Sequence, residues 1–185
     1  VSHAPGFSSV LHPDWAHLTL EHFRKILLHR DATGRWLFFR QLSNSIGLAS
    51  CTALLGLFLS SSAAYAWSRF RFPGHRLGLS LFVATQMVPA TMLIVPMYML
   101  MNKLHLLDSL LGLLLASATS SLPFCIWMLK GYFDTIPREL DEAALLDGAS
   151  RARVFYQIIL PIARPALAVT GLFAFLSSWN EFVLA

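Results

Sequence analysis

Side chains that commonly carry chemistry are sparse in this chain and do not form a catalytic pattern. Ten acidic residues, seven histidines and two cysteines are spread over 185 residues. Cys51 and Cys125 lie in separate apolar runs without zinc or disulfide spacing, so we interpret both as small core residues. The chain lacks a glycine-rich phosphate loop followed by Lys-Ser or Lys-Thr, and it lacks serine-nucleophile and zinc-helix motifs. We therefore expect no catalytic residue, no metal and no cofactor.

The polar stretch 1–40 contains five of the seven histidines. No pair combines convincing ligand geometry with a carboxylate, so surface histidines are preferred over a metal site. Within this stretch, Leu18–Leu28 is predicted to form a short amphipathic helix, and Thr19 is a candidate cap. The five histidines are His3, His12, His17, His22 and His29.

The most informative spacing begins at a Glu-Ala-Ala triplet. Three residues separate the triplet from a glycine, nine more precede an isoleucine, and a Leu-Pro pair follows after one further residue. The residues in these positions are Glu142, Ala143, Ala144, Gly148, Ile158, Leu160 and Pro161. Pro137 suits a first helical turn, Gly148 suits a left-handed helix end, and Ser150 can cap a second helix. The spacing predicts a helix, a turn and a second helix in a polar loop.

Two arginines in the first turn of the second predicted helix need compensation. Arg151 and Arg153 lie where the helix dipole disfavours positive charge. We expect the compensating group to lie outside that helix, either in lipid headgroups or in an acidic partner surface.

The composition indicates a membrane protein. Hydrophobic residues make up 56% of the chain, charged residues make up 13%, and the mean hydropathy is +0.59. Three uncharged runs, Gln41–Ser68, Leu77–Asn102 and Ser109–Leu129, are long enough to cross a bilayer, and a fourth begins at Pro165. We predict an all-α polytopic membrane protein with four visible transmembrane helices, the second kinked by Pro89 and Pro96. Small residues in the first run favour close helix packing.

The distribution of charge bears on orientation and on partners. The turn with Arg69 and Arg71 and the loop with Lys130, Arg138 and Arg151 share one predicted side, which favours the cytoplasm for the Glu142–Pro161 loop. Basic residues in stretch 1–40 weaken that argument. The basic loops suit anionic membrane lipid, and no motif indicates nucleic-acid binding.

The spacing from Glu142 to Pro161 matches the EAA loop of ABC-importer permease subunits at every consensus position. Three further stretches resemble the carbohydrate-uptake, maltose-permease-like branch of that family. They are the AYA…RFPG stretch in residues 64–74, LLDS in residues 106–109 and WNEF in residues 179–182. Together with the loop, they cover most of residues 42–185.

This resemblance implies an architecture. Such permeases usually have six membrane helices, so an N-terminal and a C-terminal helix are expected in addition to the four visible ones. Residues 1–40 would form an extracytoplasmic segment, and residues 41–185 would form part of the transmembrane domain of a multi-pass inner-membrane protein. The coupling loop would span about 131–164.

The resemblance also implies a function and partners. The helix before Gly148 would dock into a cleft on a separate ATPase subunit, which hydrolyses ATP, so this chain would not itself be an enzyme. A second permease subunit and an extracytoplasmic solute-binding protein would complete an importer for a sugar or sugar-like solute. The expected coupling residues are Glu142, Ala143, Ala144, Leu145, Asp147, Gly148, Ile158, Leu160 and Pro161.

Four polar or aromatic residues are candidates for the substrate pathway. Gln86 lies near the Pro89 kink, and Trp179, Asn180 and Glu181 lie near the far end of the fourth run. A carboxylate at membrane depth normally faces a cavity or a partner, although Glu181 could instead be solvated at the interface. A helical membrane enzyme using the histidines and Glu181, or a structural membrane scaffold, remain alternatives. The solute itself is not indicated.

Overall fold

The structure, a computed structural model of the chain, describes residues 21–30, 34 and 36–181. Within these residues all regular elements are helical, apart from an isolated bridge between Arg30 and Trp36. The helices are α1 (Glu21–Leu28), α2 (Leu37–Arg69), α3 (His75–Thr85), α4 (Ala90–Lys103), α5 (Leu110–Thr135), α6 (Glu139–Leu146), α7 (Arg151–Val154), α8 (Leu160–Ile162) and α9 (Arg164–Trp179). A π-helical turn, Phe155–Ile159, connects α7 to α8. The predicted all-helical class is confirmed.

The chain divides into two compact units between Asn44 and Ser45, a boundary that lies inside α2. In the first unit, the amphipathic helix predicted over Leu18–Leu28 is described from Glu21 onwards. Thr19, His3, His12 and His17 lie outside the described residues. The Arg30 guanidinium lies 4.8 Å from the centroid of the Trp36 ring.

Among the described residues, two helices, α2 and α5, are long enough and apolar enough to cross a membrane. At about 1.5 Å per residue both exceed the ~30 Å hydrocarbon core of a bilayer. A third candidate is a bent pair in which residues 151–162 meet α9 at 79°. These elements correspond to the first, third and fourth predicted runs.

The second predicted run, Leu77–Asn102, is not one kinked helix. It forms α3 and α4, separated by a turn over residues 86–89. Pro89 has no backbone N–H to continue the ladder, and a proline also disfavours helical geometry at the preceding residue. The chain instead forms turns in which each N–H bonds to the carbonyl three residues earlier. The Gln86 N–H, for example, donates to the Val83 carbonyl at 3.1 Å. Pro96, in contrast, is accommodated inside α4.

Helix packing in the second unit places small side chains inside and large apolar ones outside. The buried face of α2 includes Ala49, Ala53, Gly56, Ser60 and Ala64. Its opposite face carries Leu54 and Phe58, which are 68% and 61% exposed. This arrangement suits a helix that packs closely against other helices and presents its large side chains to lipid.

The two cysteines differ in their surroundings. Cys125 is buried in a small cluster with Ala53 and Ala174, as predicted. Cys51 is exposed, so the prediction that it is a core residue is wrong. Its position on α2 is three residues before Leu54 and seven before Phe58, which places it on the exposed face.

The turn between α4 and α5 is closed by a serine cap. The Gly112 N–H donates to Ser109 Oγ at 3.0 Å, and Ser109 Oγ donates to the Leu106 carbonyl at 2.8 Å. Ser109 is thus the N-cap of α5, whereas the preceding Asp108 adopts a left-handed backbone conformation with a φ of 56°. A Cβ atom added to Gly112 would lie 2.2 Å from the Leu106 carbonyl oxygen.

We predict that Gly112→Ala destabilises the protein, by about 1–3 kcal/mol, because the backbone at Leu106 must move to admit the methyl group. The measurement is the temperature at which half of the purified full-length protein aggregates in detergent. Gly47→Ala is the matched control, since a Cβ there meets nothing within 4 Å. An equal effect of both substitutions would contradict the proposed close approach.

Candidate functional site

The predicted helix–turn–helix is present, and its glycine stop and serine cap are both formed. Glu139, Asp141 and Glu142 occupy the first turn of α6, where the helix dipole favours negative charge. Gly148 has a φ of 82°, its N–H donates to the Leu145 carbonyl, and the next N–H donates to the Ala144 carbonyl. These two hydrogen bonds form a Schellman motif, whose left-handed residue is usually glycine.

The second part of this helix–turn–helix begins with the predicted serine cap and contains a bend. Ser150 Oγ accepts from the Arg153 N–H at 3.3 Å. The π-helical turn Phe155–Ile159 comes just before Pro161, which has no N–H to donate to the carbonyl four residues earlier. The chain then bends by 79° at the buried Ala163 and enters α9. We call residues 139–162 the hairpin.

An apolar cluster fixes the hairpin to the ends of α2 and α5. Phe133 of α5 and Ile159 are fully buried there, and Tyr65 of α2 packs its ring 4.8 Å from that of Phe155. Ile158 and Leu160, two of the predicted coupling residues, are half-buried against the same cluster. The hairpin is therefore packed against two apolar helices rather than suspended in solvent.

A buried ion pair adds a polar link between α2 and α6. Arg69 Nε lies 2.5 Å from Asp141 Oδ2, and the two side chains are only 6% and 12% exposed. The contact is an ion pair without an aligned hydrogen bond. Arg69 Nη2 donates to the Ile136 carbonyl, and Arg138 Nη2 donates to the Ser68 carbonyl, each at 3.0 Å. Three polar contacts thus hold the last turn of α2 to segment 136–141.

A cavity of about 180 Å³ lies beside this ion pair. Glu142 and Leu145 of α6 form part of its wall, and Arg151 of α7 lies across from them. The Arg151 guanidinium lies 5.2 Å from the centroid of the Phe70 ring. The compensation expected from outside the second helix is thus partly provided by a cation–π contact within the chain.

The α6 helix presents two different faces. Asp141 is buried and Ala144 and Leu145 are half-buried, so these residues face the apolar cluster. Ala143 is exposed on the opposite face, and Leu146 is 89% exposed although it is apolar. We call Glu139, Glu142, Ala143, Leu146 and Asp147, all of them exposed, the free face of α6. The two alanines of the motif therefore have different surroundings.

The four predicted pathway residues lie at helix ends. Gln86 is exposed at the end of α3. Trp179 and Asn180 are exposed at the end of α9, Glu181 is half-buried, and Phe182 lies outside the described residues. Ser178 Oγ donates to Thr52 Oγ1 at 3.4 Å, which places this end of α9 about 25 Å along α2 from Arg69.

Sequence reasoning missed the polar links at the base of the hairpin. Arg69 was treated only as part of a basic turn, and no pairing was predicted for Asp141. A signal was available, because Asp141 precedes Ala144 and Leu145 by three and four residues and so shares their inward face. A charged carboxylate on a buried face is normally paired with a cation.

The fold and the site define a class: a helical membrane protein whose spans end against a capped helical hairpin. A family model described as "Binding-protein-dependent transport system inner membrane component" matches residues 54–185. This chain belongs to that family, and the resemblance to ABC-importer permeases is confirmed.

Proteins similar to this chain in sequence include permeases of sugar transport systems. The chain is 36% identical to the maltodextrin transport system permease protein MdxG of Bacillus subtilis, over 90% of this chain and 58% of that protein. It is 36% identical to the trehalose transport system permease protein SugB of Mycobacterium tuberculosis, over 80% of this chain and 54% of that protein. This chain spans about half to three-fifths of the length of these relatives.

A solved structure also shares the fold. It is described as a crystal structure of a bacterial ABC transporter involved in the import of the acidic polysaccharide alginate. The TM-score is 0.71 at 30% sequence identity, and the match covers 80% of this chain and 52% of the other.

We predict that Arg69→Gln and Asp141→Asn each destabilise the protein strongly, by about 3–5 kcal/mol, because each leaves a buried charge without its partner. Lys130→Gln is the control: its ion pair with Asp134 is more exposed, with side chains 18% and 43% exposed, and its loss should cost about 1 kcal/mol or less. The measurement is thermal aggregation of the purified full-length protein.

The double variant measures the coupling between Arg69 and Asp141 separately from their other contacts. Arg69→Gln combined with Asp141→Asn should be less destabilising than the sum of the single changes, because no unpaired charge remains. Additive effects would show that the ion pair does not couple these residues.

Proposed function

We propose that the chain is part of the transmembrane permease subunit of an ATP-driven importer, and that α6 couples ATPase closure to the membrane helices. The observation that supports this role is the free face of α6. It presents Leu146, 89% exposed, on a hairpin whose other face is anchored to α2 and α5. An exposed apolar side chain on a rigidly held helix suits a docking contact with another protein.

Force on α6 would reach three spans. Arg69 and Asp141 connect it to α2, and the apolar cluster around Phe133 connects it to α5. The π-helical turn and α8 lead directly into α9 through the 79° bend. A displacement of α6 would therefore move the ends of all three helices together, as in rigid-body switching between inward- and outward-facing states.

The remaining assignments follow from family membership. The family works with a separate ATPase and an extracytoplasmic solute-binding protein, and we propose a second permease subunit and a multi-pass position in the inner membrane. ATP hydrolysis is assigned to the ATPase subunit. Residues 1–40 are proposed to be extracytoplasmic, residues 41–185 to belong to the transmembrane domain, and residues 131–164 to form the coupling loop.

We assign a sugar or sugar-like solute as the substrate class. The relatives named above carry maltodextrin and trehalose in their names, and a further one, DasC of Streptomyces coelicolor, is a diacetylchitobiose uptake permease at 34% identity. These solutes differ in size and substitution, so the relatives support the class rather than one sugar. They favour transport over a membrane enzyme or a scaffold.

We predict that Leu146→Asp abolishes or strongly reduces co-purification of the ATPase subunit with the full-length permease. The substitution places a charge at the C-terminal end of the free face, where Leu146 is almost fully exposed, so the packing of α6 against the apolar cluster is preserved. Glu142→Lys, which reverses a charge at the edge of that face, should also reduce association.

Leu104→Asp is the matched control. Leu104 is a 53% exposed leucine in the turn at the opposite end of α5. ATPase recovery should be unchanged in this variant. Equal recovery with Leu146→Asp and the unsubstituted protein would refute the docking role of α6.

For the pathway, we predict that cysteines at Gln86, Asn180 and Glu181 react with a membrane-impermeant thiol reagent in the assembled transporter. Cys51 is first replaced by serine to remove an exposed native thiol. Leu172→Cys is the control, because Leu172 is a 58% exposed leucine within α9 that should face lipid and remain unlabelled. Protection at all three pathway positions would end the assignment.

A further inference from the structure

A basic cavity lies beside the base of the hairpin, where α2 and α5 end. Its volume is about 580 Å³. Its described lining includes the basic side chains Arg69, Arg71, Lys130 and Arg138, and its acidic member is Asp134. Trp67 also lines it, and tryptophan together with basic residues is typical of the membrane–water interface.

The positive charge of this cavity is only partly neutralised within the chain. Asp134 accepts from Ser68 Oγ at 2.7 Å and pairs with Lys130 Nζ at 2.6 Å. Arg69 is paired with Asp141. Arg138 donates to the Ser68 carbonyl, which carries no formal charge. Arg71 is exposed, and the ion pairs among the described residues join Arg69 to Asp141 and Lys130 to Asp134, without Arg71. Two guanidinium charges are therefore available to an anionic ligand.

An apolar groove continues from the cavity along α3 and α5. Its volume is about 720 Å³, and it shares Lys130 and Asp134 with the basic cavity. Val83 and Met87 of α3 form one wall, and Trp127 of α5 forms part of the other. Met87 is 81% exposed, so the groove is open to the surroundings of the helices.

The two features together match an amphiphile with an anionic head and an apolar tail. A free phosphate would use the cavity but would gain nothing from the groove. An acidic peptide would likewise leave unoccupied a groove that runs along a membrane-spanning helix. Basic pockets between membrane helices on the cytoplasmic side are suited to anionic lipid headgroups.

We propose that this cavity and groove bind one anionic phospholipid from the leaflet on the hairpin side. Its phosphate lies near Arg71 and Arg138, and one acyl chain follows the groove past Val83 and Trp127. This inference rests on the membrane position given in the proposed function. Because Arg138 also holds the end of α2, the bound lipid lies at the joint between the hairpin and the spans.

The test measures lipids retained by the assembled transporter, purified after exchange into known lipids, by native mass spectrometry. The unsubstituted protein should retain dioleoyl-phosphatidylglycerol in preference to dioleoyl-phosphatidylcholine. Arg71→Gln should lower phosphatidylglycerol retention about fivefold, which corresponds to ~1 kcal/mol per basic side chain near a membrane surface. Arg71→Lys should keep most of it. Lys103→Gln, at the C-terminal end of α4, is the charge-matched control and should have no effect.

A second pair of variants tests the groove. Gly131 lines it, and a Cβ added there meets nothing within 4 Å, so Gly131→Leu is chosen to place an apolar side chain in the groove. We expect this variant to lose phosphatidylglycerol, whereas Gly47→Leu, at an equally open position on α2, should not. Inorganic phosphate at millimolar concentration should not displace the lipid.

Several outcomes would overturn the inference. They are equal retention of the two lipids, no effect of Arg71→Gln, displacement by inorganic phosphate, or unchanged retention with Gly131→Leu. Loss of ATPase association in Leu146→Asp is read separately from lipid retention. Failure of the coupling role and failure of the lipid site are therefore distinguishable.

Discussion

The contact on which the site depends is the buried ion pair between Arg69 and Asp141. Removing two charges from solvent is costly, and the cost is offset only where both groups are held in close contact and other polar groups assist. Here the Ile136 carbonyl assists Arg69. Because Asp141 must point inward, the 100° advance per residue of a helix turns Ala143 and Leu146 outward. One inward-facing carboxylate thus sets which face of α6 is available to a partner.

Local features of the hairpin were predictable from sequence because each is decided within a few residues. Gly148 and Ser150 act on neighbouring N–H and carbonyl groups, and both caps lie where the spacing put them. Long-range features were not predictable in the same way. Arg69 and Asp141 are far apart in the chain, and nothing in their local pattern specifies that they meet. The break before Pro89 was underestimated because the apolar run continues on both sides of it.

The candidate site shows the same difference between local features, which were predictable from sequence, and long-range features, which were not. The motif spacing identified Ala143 and Ala144 together, but only the packing separates the outward residue from the one against the apolar cluster. The pathway residues remain a prediction for a related reason. Gln86 ends α3 and Asn180 ends α9. Whether side chains on separate helices share one aqueous cavity depends on how helices pack around a pathway. Residue spacing does not specify that packing.

The polar groups at the base of the hairpin also connect the two proposed roles, which are ATPase coupling by α6 and binding of an anionic lipid. Ser68 donates its hydroxyl to Asp134 and accepts from Arg138 at its carbonyl. It therefore stands between the basic cavity and the segment that carries α6. An anion bound beside Arg138 would compete for the same guanidinium that holds the last turn of α2. The strength of the connection between α6 and its spans would then depend on the charge of the surrounding leaflet, and the two proposed roles would act on one set of side chains.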